Sequence, residues 1–302
     1  MSPALYANAA ALSGLVAWYG VLVLLDRGGH RRWQQPLMPL LAGGLSFRVL
    51  GAYMAAVHPA VLPYLDPLTG KEPLLRFVID VGIREESIKL LLALPCLLWL
   101  QSRTSSQSVL LAAAMVGLGF ATVENRWFFR AHAEPTLLVG RVFSTTALHL
   151  ACTGLCGAAL IRAWQARHPQ AWGRFMLLFL TIAAAHGLYD WAPASGMSWL
   201  HTGGTSWLSQ LVVIALMAWL FVIYRRTQPE AAPVGPSART WLLISALAQY
   251  ALALGLTWTH WHTLSAVWTC ARECVLFLPV LLLTAILFSY SFATRRQSYI
   301  KN

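Results

Sequence analysis

Apolar residues run along this chain in stretches of about 18 or more, closed off by polar, basic or Trp-marked positions, and a helix of that length crosses the roughly 30 Å hydrocarbon layer of a bilayer. The pattern predicts spans at about residues 4–25, 37–62, 74–100, 109–129, 137–161, 175–191, 207–224, 240–259 and 268–292. The expected fold class is therefore all-α, a polytopic transmembrane helical bundle of about nine spans. The 37–62 and 74–100 runs exceed one crossing and leave room for tilt, kinks or protrusion. Two helices read "LLAAAMVGLGFA" and "ACTGLCGAA". Their small residues permit close backbone approach, which places them at the centre of the bundle.

Composition agrees: 58% of the 302 residues are hydrophobic and 11% charged, against about 25% charged in an average soluble domain. A net charge of +11 raises the question of nucleic acid, and the loops answer it. Arg27, Arg31, Arg32, Arg103, Arg162, Arg167, Arg174, Arg225, Arg226, Arg239, Arg295, Arg296 and Lys301 fall on one side of the predicted membrane, with only Lys71, Arg126 and Arg130 on the other. By the positive-inside rule the N-terminus lies outside and the C-terminus in the cytoplasm, so basicity sets orientation and no nucleic-acid partner is implied. The cluster "DRGGHRRW" follows the first apolar run instead of preceding it, which makes that run a retained helix and not a cleaved leader. The expected localisation is an integral multi-pass protein of the plasma (inner) membrane.

The stretch "RRTQPEAAPVGPSART" at 225–240 has linker composition. It divides a seven-helix membrane domain (1–224), with its chemistry at about 74–191, from an accessory helix pair and short cytoplasmic tail (241–302). No internal repeat is evident. Cys152/Cys156 and Cys270/Cys274 stand at i, i+4 inside predicted helices. They read as small apolar residues at helix contacts, since no neighbouring ligand cluster completes a zinc site.

The informative residues are charged ones inside the spans: Arg48, Arg76, Asp80, Arg84, Glu85, Glu86, Lys89, Glu124, Arg141, His149, His186, Asp190, Arg272 and Glu273. Each charge at mid-membrane costs roughly 2.5–3.5 kcal/mol even on lenient scales. They must pair, neutralise or line a hydrated cavity. Glu85 and Glu86 are adjacent, so they point about 100° apart on a helix and should play different roles. Lys89 is i+4 from the first and i+3 from the second, close enough to pair with either, and the carboxylate left over can hold a water as a general base. Phe120 and Glu124 share a face, Arg141 and His149 lie two turns apart, and His186 and Asp190 stand at i, i+4. That last spacing lets a carboxylate fix an imidazole tautomer, or lets both bind one metal ion. Arg272 and Glu273 match no such pattern and read as helix contacts.

Taken in order, "EESIK", "FATVE", a His in the following helix and "HGLYD" resemble the PrsW family of intramembrane proteases, with its EExxK, FxxxE and HxxxD signatures. The resemblance covers about residues 74–191. It maps Glu85, Glu86 and Lys89 to the first signature, Phe120 and Glu124 to the second, His186 and Asp190 to the third, and Arg141 and His149 to the element between. The related CAAX-protease branch usually has EExxxR and FxxxH, so the shorter spacing to Lys89 and the acid at Glu124 favour the PrsW branch.

The resemblance implies an intramembrane endopeptidase acting on a membrane protein, such as a single-pass anti-sigma-factor-like protein. The expected mechanism has Glu85 or Glu86 deprotonating water, with His149 and His186 orienting it or stabilising the oxyanion. Glu124 assists as a second acid or holds a histidine, and Asp190 orients His186. Lys89 and Arg141, with Phe120 and Asn125, support the site. No cofactor is assumed; the rival mechanism binds zinc through Glu124, His149, His186 and Glu86. A proton-coupled transporter would place similar charges at mid-membrane but calls for inverted repeats, and a non-catalytic scaffold or chaperone would use the same pairs for packing alone. By helical rise the site opens toward the extracytoplasmic half.

Overall fold

The computed structural model describes residues 2–26, 37–61, 73–132, 136–196, 201–202, 205–227, 236–275 and 277–290. Among them the chain is helical, apart from a two-residue antiparallel ladder pairing His201–Thr202 with Thr205–Ser206. Helix α1 is Pro3–Leu25, capped at its N-terminus by the Ser2 hydroxyl, and α2 is Leu37–Ala56. Helix α3 runs over 73–101 as Pro73–Phe77, a π-helical segment Val78–Ile83, and Arg84–Gln101. Helix α4 is Ser106–Ala131. Helix α5 runs over 136–166 as Thr136–Gly140, a second π-helical segment Arg141–Thr145, and Thr146–Ala166. Then follow α6 (Pro169–Ala194), α7 (Trp207–Thr227), α8 (Pro236–Trp261), α9 (Leu264–Val275) and α10 (Leu278–Tyr290).

Seven of these helices, α1, α2, α4, α5, α6, α7 and α8, are long and apolar enough to cross a membrane. Two expected spans differ. Helix α3 has the length but carries Arg76, Asp80, Arg84, Glu85, Glu86 and Lys89, and the last two are fully buried inside the protein. The run at 268–292 is not one helix but two, of 12 and 13 residues. Pro279 lies in the first turn of α10, where its missing N–H costs nothing, and it prevents α9 from continuing through it.

Helices α4 and α5 form the centre, as their small residues imply: 83% and 94% of their membrane windows are buried in the protein, against 22% for α2. Gly117 makes this centre close. A side chain there would strike the backbone carbonyl of His149, so only glycine lets α4 lie this near to α5. Around the pair stand α1 and α2 on α4, α3 and α6 on α5, and α7 over α5 and α6. Helix α8 lies on α1, held by Trp241 Nε1 donating to the Ala17 carbonyl at 2.9 Å and by Ser13 Oγ donating to Gln249 Oε1 at 3.1 Å.

Residues 228–235 of the expected linker and the 291–302 tail fall outside the described residues. All five cysteines are free and buried. Arg272 is exposed on α9, and the Glu273 side chain lies outside the described residues.

Candidate active site

The site grows from the first turns of α3 after its π-helical segment. That segment is held against α6 at Gly82, where any side chain would meet the Ala183 carbonyl, so the two helices touch backbone to backbone. Just beyond it, Glu86 is fully buried with both oxygens occupied: Oε1 accepts from Lys89 Nζ at 2.8 Å and lies 2.9 Å from His186 Nδ1, and Oε2 accepts from Thr153 Oγ1 at 3.1 Å. Glu85 is held more loosely. Its Oε2 accepts from Lys89 at 3.3 Å and stands 3.8 Å from His186 Nε2, and no hydrogen bond reaches Oε1 among the described residues.

Lys89 is the hub. Its ammonium touches both carboxylates, lies 2.8 Å from His149 Nδ1 and sits 3.9 Å from the centroid of the Phe120 ring. An ammonium can only donate, so His149 Nδ1 must accept, leaving the imidazole proton on Nε2. From there it is given to Glu124 Oε2 at 2.7 Å. The other Glu124 oxygen accepts from Arg141 Nη2 at 2.8 Å. Arg141 in turn donates Nε to Asn125 Oδ1 at 2.8 Å and lies over the Phe128 ring at 4.1 Å. Asn125 Nδ2 donates to Thr146 Oγ1 at 3.1 Å, and Thr146 closes the chain on the Arg141 carbonyl at 2.9 Å.

On α6, the i, i+4 spacing brings Asp190 Oδ2 to 3.4 Å from His186 Nε2. With Glu86 accepting at Nδ1, the face of His186 that remains for chemistry is Nε2, between Glu85 and Asp190. The rings of His149 and His186 stand edge to face at 5.1 Å.

Every residue named as catalytic or supporting from sequence thus falls in one connected network, drawn from α3, α4, α5 and α6. Pattern reading missed Thr153, which stands at i+4 from His149, as well as Thr146 and Cys152. It also missed the two π-helical segments that aim the network, a feature often found at functional sites. Side-chain exposure rises from 0% at Glu86 and Lys89 to 12% at Glu85, 16% at Arg141, 23% at Glu124 and 34% at Asp190. The network therefore opens past Glu124 and Asp190, toward the membrane side where α4 and α6 end.

Two groups bring ligand atoms within 4.8 Å of one another: Glu85, His149 and His186, and Glu86, Cys152 and His186. Their donor types, carboxylate, imidazole and thiolate, suit zinc. In the first group both nitrogens of His149 are engaged and the Lys89 ammonium stands between Glu85, Glu86 and His149, so that group would take an ion only with Lys89 displaced. Glu124, expected as a ligand, belongs to neither group. It serves as the hydrogen-bond partner of His149 and Arg141.

Charged residues buried together inside a membrane bundle, acid beside imidazole, are suited to moving a proton. The sequence model of the PrsW family intramembrane metalloproteases matches residues 31–223, and the chain belongs to that family. No curated protein and no solved structure matches it. The protein is an integral, multi-pass intramembrane protease.

Proposed function

We propose that the protein is an endopeptidase that cuts a membrane protein, by family likeness a single-pass one of anti-sigma-factor type, with water activated by Glu85. One contrast carries this reading. Of the adjacent carboxylates, Glu86 has every oxygen occupied, while Glu85 has a free oxygen and a share of the opening.

A water between Glu85 and His186 Nε2 gives its proton to Glu85 as it attacks the scissile carbonyl. With Glu86 at Nδ1 and Asp190 facing Nε2, a doubly protonated His186 keeps one N–H on Glu86 and presents the other to the oxyanion. Glu85 then hands its proton to the leaving amine. Glu86 and Asp190 orient His186. Lys89 balances the paired acids and fixes the tautomer of His149, which with Glu124 and Arg141 braces the mouth.

The same reading takes α3 and the α9–α10 pair as two further crossings, making nine. Helices of 12 and 13 residues reach only about 20 Å each and must cross together. The N-terminus then lies outside and the C-terminus in the cytoplasm of the plasma membrane, so the mouth faces the extracytoplasmic half.

A second reading is favoured by the family's description and by the two ligand groups. Glu85, His149 and His186 would hold a zinc ion once Lys89 had left His149, and the ion would supply a water readily ionised near neutral pH.

The test is cleavage of a single-pass reporter by protein reconstituted in a bilayer. Glu85→Gln should lower the rate by about 10²–10⁴-fold, and a chelator should leave the wild-type rate unchanged. Cleavage by Glu85→Gln at the wild-type rate removes Glu85 as the base, and a chelator-induced loss restored by zinc replaces this mechanism with the second.

A further inference from the structure

Helix α2 is the least covered of the seven apolar spans, with 22% of its window buried. Gly43, Ser46 and Leu50 face inward, while Leu41 (70% exposed), Leu45 (54%) and Arg48 face out. Arg48 is the anomaly. It lies near the middle of the helix, about 16 Å from Leu37 by helical rise, and no hydrogen bond or ion pair reaches it from the described residues. A lone guanidinium among acyl chains is expensive to keep. It calls for an acceptor that the described residues do not bring.

The surroundings of Arg48 suit a helix. Gly51, Ala52 and Ala55, next along α2, are exposed, and a side chain added at Gly51 would meet nothing within 4 Å. Small residues of this kind let a second backbone come close. The same helix is also a wall of the active site: Phe47 packs edge to face on Phe120 at 5.3 Å, and Phe120 carries the Lys89 ammonium on its ring.

We propose that this face of α2 docks the transmembrane helix of the substrate, and that Arg48 pairs with an Asp or Glu of that helix at mid-membrane depth. The proposal rests on the reading of the protein as a protease of single-pass substrates, and adds what such a substrate must carry. A second copy of the chain fits worse. A two-fold contact across α2 would bring the same patch from both copies together, placing Arg48 near Arg48. A lipid phosphate remains at the headgroup level, away from the middle of the helix.

Charge exchange tests the pairing. Wild type is given two single-pass reporters that differ at one mid-membrane position, Asp in one and Lys in the other, and so is the Arg48→Glu variant. Wild type should cleave the Asp reporter at least about tenfold faster, since one charge pair of 1.4 kcal/mol corresponds to that factor, and Arg48→Glu should reverse the preference. Rescue by the Lys reporter shows that the variant is folded. An unchanged preference, or an equal loss on both reporters, overturns the proposal and leaves the protease reading standing.

Docking is read separately from cleavage. In the inactive Glu85→Gln background, Ala52→Cys should cross-link to a cysteine placed beside the reporter's Asp, and Arg48→Glu should abolish that cross-link. This arm decides the proposal even if wild type cleaves neither reporter, an outcome that would count against the protease reading alone. Cross-links only to a second copy, or none to the reporter, refute it.

Discussion

Helix α3 carries two ionic clusters about one and a half turns apart, and they are built differently. Around Glu86 the contacts are 2.8–3.1 Å and come from Lys89, from His186 on α6 and from Thr153 on α5. Around Asp80, His58, Arg76 and Arg84 stand at 3.6, 3.5 and 3.8 Å. Arg84 Nε and Nη1 and His58 Nε2 have no hydrogen-bond partner among the described residues. Charge is plentiful in both places. What separates them is that the first cluster is closed by donors from other helices at hydrogen-bond distance, so each group is held in one position. A site is made by that closure, and the lone carboxylate ringed by loosely placed basic side chains lacks it.

Three substitutions probe this contrast. Lys89→Met keeps the length of the side chain but removes the ammonium, leaving Glu86 buried without its cation. That should destabilise the protein by about 3–5 kcal/mol, measured as a lowered thermal midpoint in detergent, and should abolish reporter cleavage. An unchanged midpoint would mean that Lys89 is not the keystone of the cluster. Gly82→Ala sets a methyl group against the Ala183 carbonyl and forces α3 away from α6. The expected cost is about 1–3 kcal/mol, accompanied by slower cleavage, because Glu85 and His186 are carried by the two helices that part. Asp80→Asn should be the mildest, lowering the thermal midpoint less than either of the others and leaving cleavage as it was. If it matched Lys89→Met, the two clusters would be energetically alike and the distinction would fail.

Much of the site was legible because its residues sit at helical spacings that any α-helix converts into one face. His186 and Asp190 at i, i+4, and Glu86 and Lys89 at i, i+3, meet in the structure as the spacing requires. The division of labour between Glu85 and Glu86 was only half legible. Their 100° offset foretold different roles, but which of them is saturated depends on Thr153 and His186, residues 67 and 100 positions away. Cys152 shows the reverse. Read along its own helix it has only Cys156 for company, and it enters a ligand group through Glu86 and His186 of other helices. Hydropathy drew one run over 268–292 where the structure has two helices, because it sums residues and ignores the interruption that Pro279 introduces.

The π-helical segments carry a consequence for how the protein can vary. Val78–Ile83 precedes the two glutamates, and Arg141–Thr145 precedes His149. Each widened turn holds an extra residue relative to an ordinary helix, and one residue is worth about 100° of rotation and 1.5 Å of travel. Loss of a single residue from either stretch is absorbed as a plain α-helix that leaves everything beyond it facing as before, whereas the same loss from α4, which has no widened turn, swings everything beyond it through about 100°. The membrane span survives both deletions with its hydropathy intact, while only the second turns a carboxylate, Glu124, away from its imidazole.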